Sequence, residues 1–182
     1  VKHLNGMYAF ALWDTRTRTL YLARDPFGIK PLFYLRRDEA CYFGSEIKSL
    51  LAVPGFQPRP SLEGLYHFLA FDYIPGALTA FEGIAELRPG HLLSLKPTDL
   101  EPRIARFYDL EYEIDGHLSE AQAIERSREL LTQAVQRQLV ADVPVGVMLS
   151  GGIDSSALTA LMARVRGDAD FHTFSLAFDE PS

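Results

Sequence analysis

Met7 to Trp13 alternates large and small apolar residues, the polar run Asp14-Thr15-Arg16-Thr17-Arg18 interrupts it, and Thr19 to Ala23 is apolar again. Two apolar runs joined by a short polar segment predict a β-hairpin. Asp25-Pro26-Phe27-Gly28 places Asp first, Pro second and Gly fourth, the preferences of a type I turn. Pro31 to Leu35 and Ala40 to Phe43 read as two further strands, giving an antiparallel meander in a layered α+β domain. Ser45 is positioned to cap a short helix through Leu51. Ser61 opens a second helix with Leu62, Leu65, Tyr66 and Leu69 on one face, ended by Pro75-Gly76. Two short strands are expected between Gly83 and Leu95, around the Arg88-Pro89-Gly90 turn. Lys96 to Arg103 is polar, holds two prolines and reads as loop.

The pattern changes after about residue 105. Residues 1–105 form one expected domain, 106–117 a linker without clear period, and 118–182 a second domain. Ser119-Glu120-Ala121-Gln122 matches a capping box, and Ile124, Leu131, Val135 and Leu139 recur at helical spacing, joined by Leu130 and Ala134. Val143 to Leu149 has the continuous apolar character of a strand buried on both faces. Asp154 to Arg166 is helical, with Leu158, Leu161, Met162 and Val165 inward and Gly167 as C-terminal cap. Phe171 to Phe178 reads as another apolar strand. The second domain is therefore expected to be α/β, a doubly wound parallel sheet whose ligands lie beyond the carboxyl ends of the strands.

Composition narrows the partners. The 182 residues are 47% apolar, enough to bury a core, and the net charge of −6 comes from interspersed acidic and basic residues. No basic block points to nucleic acid, and no apolar run approaches the roughly 18 residues a membrane span needs. A single cysteine, Cys41, excludes an internal disulfide and makes a reducing cytoplasm the default location. Cys41 sits in a strand pattern and reads as a small buried hydrophobe. Val1 opens inside a structured pattern and Ser182 follows an apolar run, so the chain is expected to be a fragment. His3, His67, His91, His117 and His172 show no metal-ligand spacing and are expected to be structural. Met7, Met148 and Met162 follow core periodicity.

The most distinctive chemistry lies in Leu149 to Ser156, L-S-G-G-I-D-S-S, between an apolar run and a helical pattern. Gly151 and Gly152 let the backbone turn sharply and approach a ligand, and Ser150, Ser155 and Ser156 supply hydroxyls beside a helix N-terminus that favours an anion. Asp154 would be repelled by phosphate unless a cation lay between them, which magnesium would provide. The G-x-x-x-x-G-K-[ST] spacing of a P-loop is absent, as is its lysine. On the residues alone, a phosphate site and a plain strand-to-helix connection capped by Asp and Ser both remain open.

S-G-G-I-D-S resembles the S-G-G-x-D-S loop of the ATP pyrophosphatases, which split ATP into AMP and pyrophosphate. Tyr21-Leu-Ala-Arg24-Asp25-Pro26-Phe27-Gly28-Ile-Lys30-Pro31-Leu-Phe33-Tyr34, followed by Phe43-Gly44-Ser45-Glu46-Ile47-Lys48, resembles the class II glutamine amidotransferase domain. The two in this order, over nearly all of the chain, resemble the glutamine-hydrolysing asparagine synthetase family. The resemblance implies a partial N-terminal nucleophile hydrolase-like α+β domain followed by a partial ATP pyrophosphatase-type α/β domain.

It also implies a division of roles. The family's nucleophile is a first-residue cysteine acting with its own α-amine. Cys41 is internal, so no catalytic residue is expected in this chain, and the chain alone is expected not to hydrolyse glutamine. Asp25 matches the aspartate that holds the α-ammonium of glutamine, although turn chemistry alone would also favour it. Ser150, Gly151, Gly152, Asp154 and Ser155 match the pyrophosphate and magnesium cradle, with Asp154 toward the metal. Leu149 and Leu176 match positions lining the adenosine site, although by composition both read as core. The implied reaction is AMP-forming: aspartate, ATP and glutamine give asparagine through a β-aspartyl adenylate, with ATP and Mg2+ bound. The small-molecule partners are glutamine, aspartate and ATP, and a homodimer is among the assemblies the family allows. The alternatives are a related ligase adenylating another carboxylate, such as a β-lactam synthetase or modification-pathway amidotransferase, and a non-catalytic binding or assembly protein keeping both folds.

Overall fold

The computed structural model describes residues 1–114, 116–167 and 170–177. The chain divides into two compact units, Val1–Tyr112 and Glu113–Ser182. The first is α+β and built on antiparallel sheets. Strands β1 (Ala9–Asp14) and β2 (Thr19–Arg24) form the expected hairpin, pairing Ala9 with Arg24 through Asp14 with Thr19. Its turn is held by Asp14, whose carboxylate accepts from the Arg16 and Thr17 amides and the Thr17 hydroxyl.

The remaining strands do not continue as a meander. Strands β3 (Phe33–Arg37), β4 (Ala40–Gly44) and β5 (Ile84–Glu86) form a separate sheet in the order β4-β3-β5. Strands β6 (His91–Lys96) and β7 (Asp99–Arg106) return to the first sheet, giving the order β1-β2-β6-β7. The segment Lys96 to Arg103, a loop by composition, thus supplies most of β7. Pro102, the proline within β7, is tolerated because β7 is an edge strand, and Pro97 lies in the turn before it.

Side-chain alternation decides how these sheets stack. Leu22, Leu93 and Leu95 from the first sheet meet Leu32, Leu87, Tyr34 and Cys41 from the second. On the opposite face of the second sheet, Leu35 and Ile84 pack with Leu50 and Val53, at and just after helix α1 (Ile47–Leu51). The unit is therefore layered as sheet, sheet, helix. Fully burying a leucine contributes about 1.5–3 kcal/mol, so these two clusters dominate its stability. Cys41 is half-buried against the first cluster, and burial raises its thiol pKa.

Several local expectations change. Ser45 does not cap α1: Glu46 is the N-cap residue, without a side-chain bond, and Ser49 donates its hydroxyl to the Glu46 carbonyl. Helix α2 (Leu62–Phe71) starts as expected, with Ser61 accepting from the Gly64 amide, but ends at Asp72 in the left-handed conformation, before Pro75 is reached. Its apolar face does not point into a core. Leu62, Tyr66 and Leu69 are exposed, and the buried position on α2 is Gly64, where a Cβ would meet the Thr79 carbonyl oxygen. The helix approaches its neighbour by backbone, which the periodicity of large side chains cannot reveal. Met7 and Met148 are likewise exposed, whereas Met162 is buried.

In the second unit, helix α3 (Glu120–Gln138) carries both bonds of the capping box, Gln122 amide to Ser119 Oγ and Ser119 amide to Gln122 Oε1. Helix α4 (Ile153–Arg166) ends at Gly167 with positive φ, as expected. Strand β8 is confined to Val147–Met148 and pairs in parallel with β9, Thr173–Phe174. The strand expected from Val143 to Leu149, buried on both faces, is not formed: Val143 is exposed and Met148 is 70% exposed. Pro144 lacks an amide donor, and β9 is the one strand paired with β8 among the described residues. The far end of the second expected strand, Phe178, lies outside those residues.

Candidate functional site

Two stretches carry the chemistry, one in each unit. The first follows β2. Successive side chains of a strand point to opposite faces, so Arg24 and Asp25 leave β2 in opposite directions. Arg24 turns between the two sheets, and Asp25 turns under its own loop. The Asp25 carbonyl accepts from the Gly28 amide at 3.1 Å, closing the expected turn, and from the Gly90 amide at 2.9 Å. Gly28 has φ +65, and a Cβ there would sit 2.7 Å from Pro89 Cγ and 3.1 Å from the Arg24 guanidinium carbon. Glycine is required both for its dihedral and for the closeness of its neighbours.

The Asp25 side chain is 1% exposed. Oδ1 accepts from the amides of Phe27 and Ile29, both at 3.1 Å, and Oδ2 from the amide of Lys30 at 3.0 Å. Burial by itself would raise its pKa. The amides of Lys30, Ile29, Phe27 and Tyr8 together outweigh burial and hold the carboxyl below its ordinary value. The charge is thus stabilised by neutral dipoles, and no cation forms an ion pair with it among the described residues. The Tyr8 hydroxyl is buried without a hydrogen-bond partner among those residues, and burial and then the Asp25 charge raise its pKa.

Arg24, which the sequence singles out only as part of the amidotransferase-like motif, is buried beside Asp25. Its side chain, 8% exposed, forms an ion pair with Glu86 at 2.7 Å. It also donates from Nε to the Lys30 carbonyl, from Nη1 to the Leu87 carbonyl and from Nη2 to the Gly28 carbonyl, all at 2.8–2.9 Å. The only sequence signal was an arginine beside the aspartate at a strand end. Nearby, a cleft of about 540 Å3 is lined by Phe27, Arg88, His91, Arg106 and Tyr108, with Arg106 paired to Asp109.

The second stretch lies between β8 and α4. Gly151 takes φ +83, and Gly152 is the N-cap of α4 with no side-chain cap. The first-turn amides of α4 therefore lack the capping partner that a Ser or Asp would supply. Ser155 ties the loop together: its hydroxyl accepts from the Ser150 amide at 3.3 Å, donates to the Gly152 carbonyl at 3.1 Å and lies 3.1 Å from the Ser150 hydroxyl. Asp154 is exposed in the first turn of α4. Leu149 is engaged through its backbone, its amide donating to the Phe174 carbonyl and its carbonyl accepting from Ser175 Oγ at 2.7 Å. The Leu176 side chain is 75% exposed, so it is not the core residue that composition suggests. Ser150, Gly151 and Gly152 in the turn thus adjoin Asp154 and Ser155 in the first turn of α4, with Leu149 at the entry and Leu176 just past β9. No group of three or more His, Cys, Asp or Glu side chains arranged to hold a metal occurs among the described residues.

Residues 1–108 match the family model described as glutamine amidotransferase domain, and residues 126–182 match the model described as asparagine synthase. The chain is 41% identical over 185 residues to asparagine synthetase [glutamine-hydrolyzing] 3 of Bacillus subtilis, covering 99% of this chain and 30% of that protein. It is 35% identical to a putative asparagine synthetase [glutamine-hydrolyzing] of Mycobacterium tuberculosis, across 98% of this chain and 28% of the relative. A third relative is amidase chry2 of Gibberella zeae, 38% identical across 91% of this chain and 24% of its own length. The chain therefore spans less than a third of the length of these relatives.

Proposed function

Because the chain belongs to the glutamine amidotransferase domain family, we propose that the full-length protein is a glutamine-dependent, AMP-forming ligase that converts aspartate to asparagine. The observation that carries this is the order of two parts in one chain. An Asp25 loop in an amidotransferase-type unit precedes an S-G-G-I-D-S turn at the carboxyl end of a parallel strand. On this reading residues 1–105 belong to an N-terminal nucleophile hydrolase-like domain, 106–117 link it onward, and 118–182 open an ATP pyrophosphatase-type α/β domain.

Asp25 is the glutamine-binding residue. An ionised carboxylate held by amides, with no ion-pair partner among the described residues, keeps its charge for an incoming α-ammonium group. In the second unit, Ser150, Gly151, Gly152 and Ser155 receive the β- and γ-phosphates of ATP against the uncapped end of α4, with Leu149 and Leu176 beside the adenosine. Asp154 is the one carboxylate in the loop, so it would hold Mg2+ only together with phosphate oxygens and water. Magnesium, when bound, supplies the positive charge that lets Asp154 and polyphosphate share the site.

The chemistry follows from that placement. The side-chain carboxylate of aspartate attacks the α-phosphorus of ATP, forming the β-aspartyl adenylate while pyrophosphate leaves against the loop amides. Ammonia released from glutamine then displaces AMP. Among the described residues no helix is long and apolar enough to cross a membrane, and a soluble cytoplasmic enzyme, as a homodimer, completes the reading.

The test is product analysis of the full-length protein with ATP, Mg2+ and glutamine. Aspartate-dependent release of AMP and pyrophosphate, with asparagine formed, is the expected result. AMP release that needs a different carboxylate would move the protein to a related ligase. Failure to bind ATP with Mg2+ present would leave only a binding or assembly role.

A further inference from the structure

Resting on the amidotransferase reading, we propose that Arg24 is a positioning residue for the glutamine site, fixing Asp25 through the peptide unit that joins Gly28 to Ile29. A peptide unit is planar and trans, so its carbonyl and amide N–H point in opposite directions and rotate together. In this unit the Gly28 oxygen accepts from Arg24 Nη2 at 2.9 Å, while the Ile29 N–H donates to Asp25 Oδ1 at 3.1 Å. One rigid plane is therefore gripped by Arg24 on one side and Asp25 on the other. Lys30 is also held from both sides, through two successive peptide units, its carbonyl by Arg24 Nε and its amide by Asp25 Oδ2.

The arrangement connects two neighbouring residues of opposite charge without a direct ion pair. A guanidinium drawn against a carbonyl also polarises that unit's N–H toward its acceptor. Asp25 gains a firm orientation and keeps its negative charge for the substrate ammonium. Arg24 is itself fixed from the second sheet, by the Leu87 carbonyl at 2.8 Å and Glu86 at 2.7 Å. The loop that orients Asp25 is thus fastened to the rigid interior of the unit and not to solvent-exposed chain. Only a planar fork serves. The three donors of a lysine share one nitrogen, which cannot reach carbonyls that Arg24 meets from three separate nitrogens.

The experiment compares glutamine with ammonium as nitrogen donor in the full-length protein, reading KM and kcat for each. Arg24→Lys is expected to raise the KM for glutamine about tenfold or more, since misplacement of a binding group by about 1 Å can cost up to a hundredfold. Ammonium bypasses the glutamine site, so ammonium-driven AMP formation should stay within about twofold. Glu86→Gln removes the ion pair but leaves the three carbonyl bonds, so it should raise the glutamine KM less than Arg24→Lys does. If Arg24→Lys does not fold, Arg24→Gln, whose amide has two N–H donors and so loses at least one of the three carbonyl bonds, should produce the same selective rise in KM. An unchanged glutamine KM overturns the proposal, as does a parallel fall of both activities, which would mark Arg24 as a fold residue only. A parent protein active with neither donor would instead overturn the ligase reading.

Discussion

At the scale of single residues, Asp25 gives the clearest dependence on solution conditions. Its folded-state pKa lies below the unfolded value of about 3.9, because four amides outweigh burial. Its contribution to stability is therefore complete above that value and is lost as pH falls through the folded pKa, where the native carboxylate is finally protonated. Asp25→Asn keeps the shape but turns an amide donor toward backbone donors, at a cost of about 1–3 kcal/mol near neutral pH. The gap in unfolding midpoint between parent and variant should narrow as pH is lowered from 7 to 2. A gap independent of pH would mean that folding does not lower the Asp25 pKa, and a gap that widens toward low pH would mean that the fold favours the neutral acid. Tyr8 gives the opposite kind of test. Its hydroxyl is buried without a partner among the described residues, so Tyr8→Phe should leave stability unchanged or raise it by about 1 kcal/mol in a urea titration. A clear loss would show that the hydroxyl has a partner such as an ordered water.

At the scale of elements, the same apolar periodicity has two outcomes. Leu50 on α1 is 2% exposed and packs with Leu35, Val53 and Ile84, whereas Leu69 on α2 is 83% exposed. Leu50→Ala should cost about 2–5 kcal/mol, and Leu69→Ala should stay within about 0.5 kcal/mol, as read from denaturant midpoints. Equal costs would mean that α2 is covered in solution. This contrast marks the reach of the sequence. The β1–β2 hairpin was legible because its alternation, its polar turn and its length agree, and the capping box at Ser119 was legible because both its bonds are local. Which sheet β5 and β6 join was not, since that depends on pairings such as Leu22 with Leu93, some seventy residues apart. Asp25 could be singled out by turn chemistry and resemblance. The role of Arg24 could not, because its partners Glu86 and Leu87 come from a distant strand.

At the scale of the molecule, the two units differ in how well their own residues enclose them. The first buries two clusters of apolar side chains and fixes Arg24 and Asp25 between them and the loops. The second has Met162 as its one buried apolar residue among those described, with Leu130, Leu131 and Leu158 each about half exposed. Its two strands among the described residues are two residues long, and its helices carry local end devices, the Ser119 box on α3 and Gly167 after α4. Few buried contacts mean a low free energy of local opening. In hydrogen exchange on the 182-residue chain, amides of α3 and α4 should therefore exchange well before those of β2 and β6, whose residues line the first core. The glycine-rich turn belongs to the unit with the smaller buried core, and under the proposed function a polyphosphate bound there would stabilise it by mass action. Adding ATP with Mg2+ should slow exchange in α4 selectively and leave β2 and β6 unchanged. Uniform exchange across both units would show a single cooperative structure, and protection of β2 without α4 would place the nucleotide outside the S-G-G-I-D-S turn.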